Sequence, residues 1–307
     1  MRAMDRSVRL QPDPVRLKAD TTYVRVAADY IALTKPRLNV LVVASSAAGY
    51  YLGTQAPADL SVMAHAVIGT TLVAGGAAAL NQVAERDTDA KMRRTRLRPL
   101  PDGRVTPAEA RLFGIVLSVA GIGILAGRAN LLSASLALAT LVIYLAIYTP
   151  MKRRTPMATL LGAVPGALPP LIGWAASRGR VDLGGISLFA IVFLWQIPHF
   201  MAIAWLYRDD YGAAGFPMLP VIDPGGRRAA RQALVYALLL VPVSLVPAFV
   251  GIAGWPYLGV AAALGIAMAW LAVRFRAGRN DATARALFFA SITYLPLLWI
   301  VMVIDKL

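Results

Sequence analysis

The sequence contains no cysteine, which excludes disulfides, thiolate metal sites, Fe–S clusters and a Cys nucleophile, and leaves the redox compartment undetermined. It has two histidines in 307 residues. Charge is scarce at 15% of residues. Acid is scarcer still, with sixteen Asp and Glu against thirty-one Lys and Arg. Apolar residues make up 58% of the chain and the mean hydropathy is +0.61, too much apolar surface for a water-soluble globule of this length. The surplus needs lipid.

About twenty apolar helical residues cross a bilayer core. Nine stretches qualify, near 38–56, 61–83, 111–128, 130–149, 157–176, 184–206, 232–253, 256–273 and 285–304. Each is expected to be helical, because lipid offers no partner to an unpaired backbone amide. With a cytosolic N-terminus, twenty-seven of the thirty-one basic residues, counting those at span edges, fall on the cytosolic side. Only Arg128, Arg178, Arg180 and Lys306 fall on the other. The expected fold is therefore an all-α polytopic bundle of nine transmembrane helices, N-in and C-out. Topology accounts for most of the +15 charge, and with no soluble basic domain left to hold a duplex, a nucleic-acid partner is not expected.

Residues 1–28 read as a basic, disordered cytosolic tail and 29–307 as one intramembrane domain. Residues 22–34 mix apolar and polar positions, as a short interfacial helix does. The first thirty-seven residues lack an early apolar run, so no secretory signal is expected. The second and sixth spans both end on the cytosolic side in acids, the weak echo that duplication of a four-helix unit would leave.

Those acids carry the chemistry. On a helix Asn81, Glu85 and Asp89 share one face at i, i+4 and i+8, while Asp87 points elsewhere. Asp209 and Asp210 end the sixth span at the same expected depth. Either cluster alone could pair with arginines such as Arg86, Arg93 and Arg208 on a wet helix end. Two clusters at matched depth favour a hard divalent cation, Mg²⁺ or Ca²⁺, whose remaining ligands would be water and a substrate phosphate. Lys35, Arg37, Arg94, Arg98, Lys152 and Arg153 lie in the same layer, and mixed signs of this kind suit a metal diphosphate rather than a purely positive-inside loop.

His199 lies within the apolar sixth span. Asp210, eleven residues on, returns to nearly the same azimuth, which puts the histidine about 16 Å deeper. A buried His bonded to a backbone carbonyl near the Pro198 kink is the structural alternative. His65, at the start of the second span, reads as interfacial. Gly162, Gly166, Pro169, Pro170 and Gly173 in the fifth span would weaken or bend an isolated helix and either line a cavity or permit close packing, of which packing is expected, and Trp174, Trp195 and Trp270 suit core or interface positions rather than substrate walls.

The run Asn81-x3-Glu85-x-Asp87-x-Asp89, followed by Met92-x-Arg94-Thr95-x2-Arg98-Pro99-Leu100, resembles the first aspartate-rich signature of UbiA-type intramembrane prenyltransferases. Five further stretches are similar, more narrowly, to the haem-modifying branch of that family. These are Leu33-Thr34-Lys35-Pro36-Arg37, Tyr148-Thr149-Pro150, Gly166 to Trp174, Trp195-Gln196-Ile197-Pro198-His199-Phe200, and Tyr207 to Tyr211 with Gly215 to Pro220. The resemblance covers roughly residues 29–304. It departs at Glu85, where the family often has Asp, and at Ala158, where an Asn is expected.

The resemblance implies transfer of a farnesyl group from farnesyl diphosphate to a vinyl group of protohaem IX (haem B), with water adding. It implies Mg²⁺ held by Asn81, Glu85, Asp89, Asp209 and Asp210, diphosphate contacts drawn from the six basic residues, and a catalytic His199 facing the haem, where it could ligate the iron, hold a propionate or move the proton that hydration of the vinyl group requires. It also implies a bacterial-type plasma (inner) membrane with the site facing the cytosol, and haem A synthase or oxidase assembly factors downstream. A prenyltransferase for a quinone or chlorophyll precursor, a secondary transporter and a non-catalytic haem chaperone are the alternatives. A transporter is disfavoured because its ionisable residues should lie at the midplane rather than at one rim.

Overall fold

The computed structural model describes residues 14–55 and 57–307, and among these there are helices and no strands. In chain order they are α1 (Pro14–Leu33), α2 (Pro36–Gly53), α3 (Leu60–Ala84), α4 (Arg86–Asp89), α5 (Pro107–Arg128), α6 (Leu131–Val142), which runs through a π-helical turn (Ile143–Tyr148) into α7 (Thr149–Met151), α8 (Ala158–Arg178), α9 (Leu183–Leu206), α10 (Arg208–Ala213), α11 (Leu219–Ile222), α12 (Arg227–Phe249), α13 (Trp255–Gly278) and α14 (Asp281–Ile304). Local chemistry sets the starts. Asp59, Asn130 and Asp182 accept hydrogen bonds from the first free amides of α3, α6 and α9, Thr106 and Asn280 form reciprocal capping boxes on α5 and α14, and Pro opens α2 and α5.

Eight helices among the described residues are long and apolar enough to cross a bilayer. The ninth expected span, α2, falls short of the same standard, because its 18 residues include Arg37, Asn39, two serines and two tyrosines. It nevertheless packs along α8 and α3. α1 begins at Pro14, upstream of the helix expected over 22–34 and inside the segment expected to be disordered; residues 1–13 of that tail lie outside the described residues.

One apolar cluster is built mainly from α9, α12, α13 and α14, and a second from α2, α3, α5, α6 and α8. Glycine lets the α2–α8 crossing close: a Cβ on Gly173 would stand 2.0 Å from the Ser46 carbonyl oxygen, and one on Gly49 would stand 2.0 Å from that of Pro170. The close packing expected of the fifth span is thus borne out at Gly173. The echo between the second and sixth spans also has a structural counterpart. α3 and α9 both stop at a non-helical residue, Glu85 (φ −100°, ψ 7°) and Tyr207 (φ −114°, ψ 24°), and both resume as a short helix carrying two acids.

Candidate active site

A cavity of about 440 Å³ opens between α2, α3, α8 and α9 and is covered by α4, the loop after it and the α10–α11 segment. Its charged end is built on α3. Asn81, Glu85 and Asp89 all line it and are 2%, 4% and 1% exposed, whereas Asp87 is exposed. The helix breaks at Glu85, yet Asn81 O still accepts from Glu85 N and Glu85 O from Asp89 N. The three side chains therefore keep the shared face that the spacing predicts.

Each carboxylate has a cation. Lys152 Nζ donates to both Glu85 oxygens at 3.0 Å, and Arg98 donates to Asp89 Oδ2 at 2.7 Å. Burial works against charge on Lys152, but Glu85 and Tyr211 overcome it and hold its pKa above that of free lysine. The partners expected from sequence for a wet helix end are not the ones used: Arg86 and Arg93 are exposed, and Arg208 bonds Asp281 at 3.1 Å.

Lys35 sits in the break between α1 and α2 in the left-handed conformation (φ 51°, ψ 57°), a strain of about 1 kcal/mol or more for a residue with a Cβ. Gln82 helps to hold that corner by donating to Leu33 O, and Asn39 does so by donating to Thr34 O. Lys35 Nζ thereby reaches Asn81 Oδ1 at 3.2 Å. Burial, and then the nearby Arg98, lower its pKa to about 8.

Of the six basic residues singled out from sequence, Lys35, Arg94, Arg98 and Lys152 line the cavity, while Arg37 and Arg153 are exposed and do not. The second acidic pair is placed differently from the first. Asp209 is exposed, Asp210 is half-buried, and neither lines the cavity, although the next residue, Tyr211, does. Arg94 joins the two tips: its guanidinium lies 4.9 Å from the Tyr207 ring centre and 3.5 Å from the Tyr211 hydroxyl. Among the described residues no three acids or histidines stand close enough together to form a ready metal cage. The donors Asn81, Glu85 and Asp89 still suit a hard cation, being oxygen ligands on one buried face.

Toward the middle of the bundle the walls turn apolar and aromatic. The π-helical turn aligns Tyr144 and Tyr148, whose rings stack at 5.2 Å and both line the cavity. Tyr148 fits because position 162 is glycine, where a Cβ would stand 2.6 Å from its ring. Sequence reasoning gave neither tyrosine a role. Two tyrosines four apart in an aliphatic span beside Thr149-Pro150 were the available signal. Thr149, which accepts from Asn81 Nδ2 at 3.1 Å, and Tyr211 were missed in the same way.

Trp195, Gln196, His199 and Phe200 line the far part, while Trp174 is core and Trp270 is exposed. His199 bonds not a backbone carbonyl but the Ser291 hydroxyl, at 2.7 Å. His65 bonds the Ser61 carbonyl and does not line the cavity. Ala158 does line it, so the expected Asn contact is simply absent there.

An all-helical intramembrane protein whose cavity has cations and paired carboxylates at one end and aromatic walls beyond is built to take an amphiphile with a polyanionic head. The chain belongs to the UbiA prenyltransferase family, whose model matches residues 42–293. It is 47% identical to a protoheme IX farnesyltransferase of Solibacter usitatus, over 91% of this chain and 98% of that one. To that of Myxococcus xanthus it is 44% identical, over 92% and 95%. Among solved structures, the fold is similar to a digeranylgeranylglyceryl phosphate synthase (TM-score 0.77, 16% identity, 92% of this chain and 98% of that one). It is also similar to a UbiA homologue from Archaeoglobus fulgidus bound to GPP and Mg²⁺ (TM-score 0.65, 17% identity, 89% and 99%).

Proposed function

We propose that this protein transfers a farnesyl group from farnesyl diphosphate to a vinyl group of haem B, giving haem O for haem-copper oxidases. The observation that carries the reading is one continuous cavity with Lys35, Lys152, Arg94 and Arg98 around Glu85 and Asp89 at its charged end and His199 among aromatic rings farther in. The relatives' names supply the acceptor.

As the bond between C1 of the farnesyl chain and oxygen lengthens, negative charge grows on the diphosphate. Cations already fixed around it stabilise that charge more than they stabilise the ground state. Glu85 and Asp89, with Asn81, would hold Mg²⁺, and Asp210 and Asp209 would complete the site from the rim once diphosphate draws α10 inward. Bound there, the ion would neutralise part of the leaving group's charge. Lys152 and Arg98, now bound to the same carboxylates, would turn to the phosphate oxygens. Tyr144 and Tyr148 present π faces to the allylic cation, and the apolar wall keeps water from quenching it. The vinyl carbon attacks C1, water then bonds to the carbon left cationic, and the water's proton leaves.

The same reading makes α2 the ninth span, N-in and C-out, with the cavity mouth on the cytosolic face of a bacterial-type plasma membrane. Haem A synthase or an oxidase assembly factor would take the product. Purified protein incubated with haem B, farnesyl diphosphate and Mg²⁺ should yield a haem heavier by one farnesyl group plus one hydroxyl. Farnesylation of a quinone precursor with haem left unchanged would overturn the acceptor assignment.

A further inference from the structure

His199 has two ring nitrogens, and the structure fixes what each one does. Ser291, 0% exposed on α14, has a single hydroxyl proton. Its Oγ lies 2.6 Å from the Phe288 carbonyl oxygen, which can only accept, and 2.7 Å from His199 Nδ1. Both contacts are satisfied together in only one way: Ser291 donates to Phe288 O, and His199 donates from Nδ1 to Ser291. In the neutral ring Nε2 then carries the lone pair.

The ring is held at more than this one point. Its plane stacks on Trp195 (5.2 Å, 18°) and on Phe288 (5.2 Å, 23°), and the Trp195 indole N–H is itself tied to Ser291 O at 2.7 Å. His199 lines the cavity and Ser291 does not. Nε2 has no hydrogen-bond partner among the described residues and is not among the sealed polar atoms of the interior, so it remains open to an occupant.

Resting on the haem-acceptor reading above, we propose that Ser291 is a positioning residue that locks His199 in the Nδ1–H tautomer, so that Nε2 gives its electron pair to the iron of the porphyrin substrate. The alternatives fit less well. A propionate needs a donor, which this Nε2 is not. Taking up a proton would make an imidazolium whose neighbours are Ser291, Trp195, Phe200 and Phe288, none of them acidic, within a span where charge is costly. Ligating iron leaves the ring neutral, and a metal-bound imidazole usually donates its other N–H to a fixed acceptor, as this one does.

The chain has two histidines, so a His65→Gln variant labelled with ¹⁵N-histidine reports His199 alone. Its nitrogen shifts in the substrate-free protein should show Nδ1 protonated and Nε2 not, Ser291→Thr should preserve that pattern, and Ser291→Ala should lose it. Protonated Nε2 in the parent, or an unchanged pattern in Ser291→Ala, overturns the proposal. Ferric haem titrated into the parent should show the Soret band of an imidazole-ligated haem. His199→Gly should lose that band and regain it with free imidazole, and Ser291→Ala should bind haem about ten- to a hundred-fold more weakly. A parent that farnesylates haem but gives the same haem spectrum as His199→Gly overturns the ligation alone. A parent that perturbs no haem spectrum and makes no product overturns the acceptor reading with it.

Discussion

The two acidic tips of this bundle look alike in sequence and differ in structure. Each follows a helix that breaks at its end and resumes as a short helix bearing two acids. At the first tip Glu85 and Asp89 are buried, each against its own cation. At the second, Asp209 is exposed, Asp210 is half-buried and the cavity is lined by their neighbour Tyr211. A buried carboxylate must be neutralised or paired, so the first tip has recruited Lys152 and Arg98 from two other segments, while the second can leave its charge to water. On the proposed reading the first tip is a ready site whose ion pairs a diphosphate would reorganise, and the second is a rim that would have to move to contribute.

If the tips differ in this way, disabling them should differ too. The largest effect is expected at the first: Asp89→Asn or Glu85→Gln should lower kcat/KM for farnesyl transfer by about 100- to 1,000-fold, the usual range for one preorganised electrostatic contact. A smaller loss there than in Asp210→Asn, in steady-state assays on purified protein, would reverse the comparison. The Glu85–Lys152 pair sharpens it further. Lys152→Met strands a carboxylate that is 4% exposed and should destabilise the protein by about 3 kcal/mol. Adding Glu85→Gln should return most of that in thermal unfolding in detergent. No recovery would mean that the pair is not the reason for the loss.

Much of this arrangement was legible in the sequence, because it rests on features that act locally. Span positions follow from apolar run length, and the shared face of Asn81, Glu85 and Asp89 follows from helical spacing, surviving the break because the ladder hydrogen bonds continue through Glu85. Which cation meets which acid was not legible. Arg98 and Lys152 lie nine and sixty-seven residues from their partners, and no local rule ranks them above Arg86 or Arg93. Tyr144 was hidden for another reason, since its direction depends on a π-helical turn that standard periodicity does not predict. The status of α2 shows the converse: composition withholds it from the membrane-crossing set, and its packing on α8 and α3 is what supports the proposal that it is a ninth span.

The charged end should also answer to pH through Lys35, whose pKa burial and Arg98 hold near 8. Below pH 8 the amine is protonated and attracts diphosphate; above it the neutral amine does not. KM for farnesyl diphosphate should therefore rise as pH climbs past 8, by up to about tenfold per unit, until the substrate-bound lysine is itself protonated too weakly to matter. Lys35→Arg should flatten that limb, because guanidinium stays charged. Lys35→Met should give a high KM at every pH. A rise that persists in Lys35→Arg would assign the limb to another group.

The smallest effects are expected at the rim, where they discriminate between its two acids. Asp210 is half-buried beside cavity-lining Tyr211, and Asp209 faces out. The inward movement of α10 proposed above would bring the first to the diphosphate before the second. Asp210→Asn should then cost about tenfold in kcat/KM and Asp209→Asn no more than about threefold, within the range of a weakly placed, solvent-screened charge. The discriminating measurement is kcat/KM for both variants across Mg²⁺ concentrations. If α10 closes as a unit, excess Mg²⁺ should restore Asp209→Asn fully and Asp210→Asn only in part. Equal losses from the two variants, unrelieved by Mg²⁺, would mean that the second tip serves the fold of the α10–α11 segment rather than the reaction.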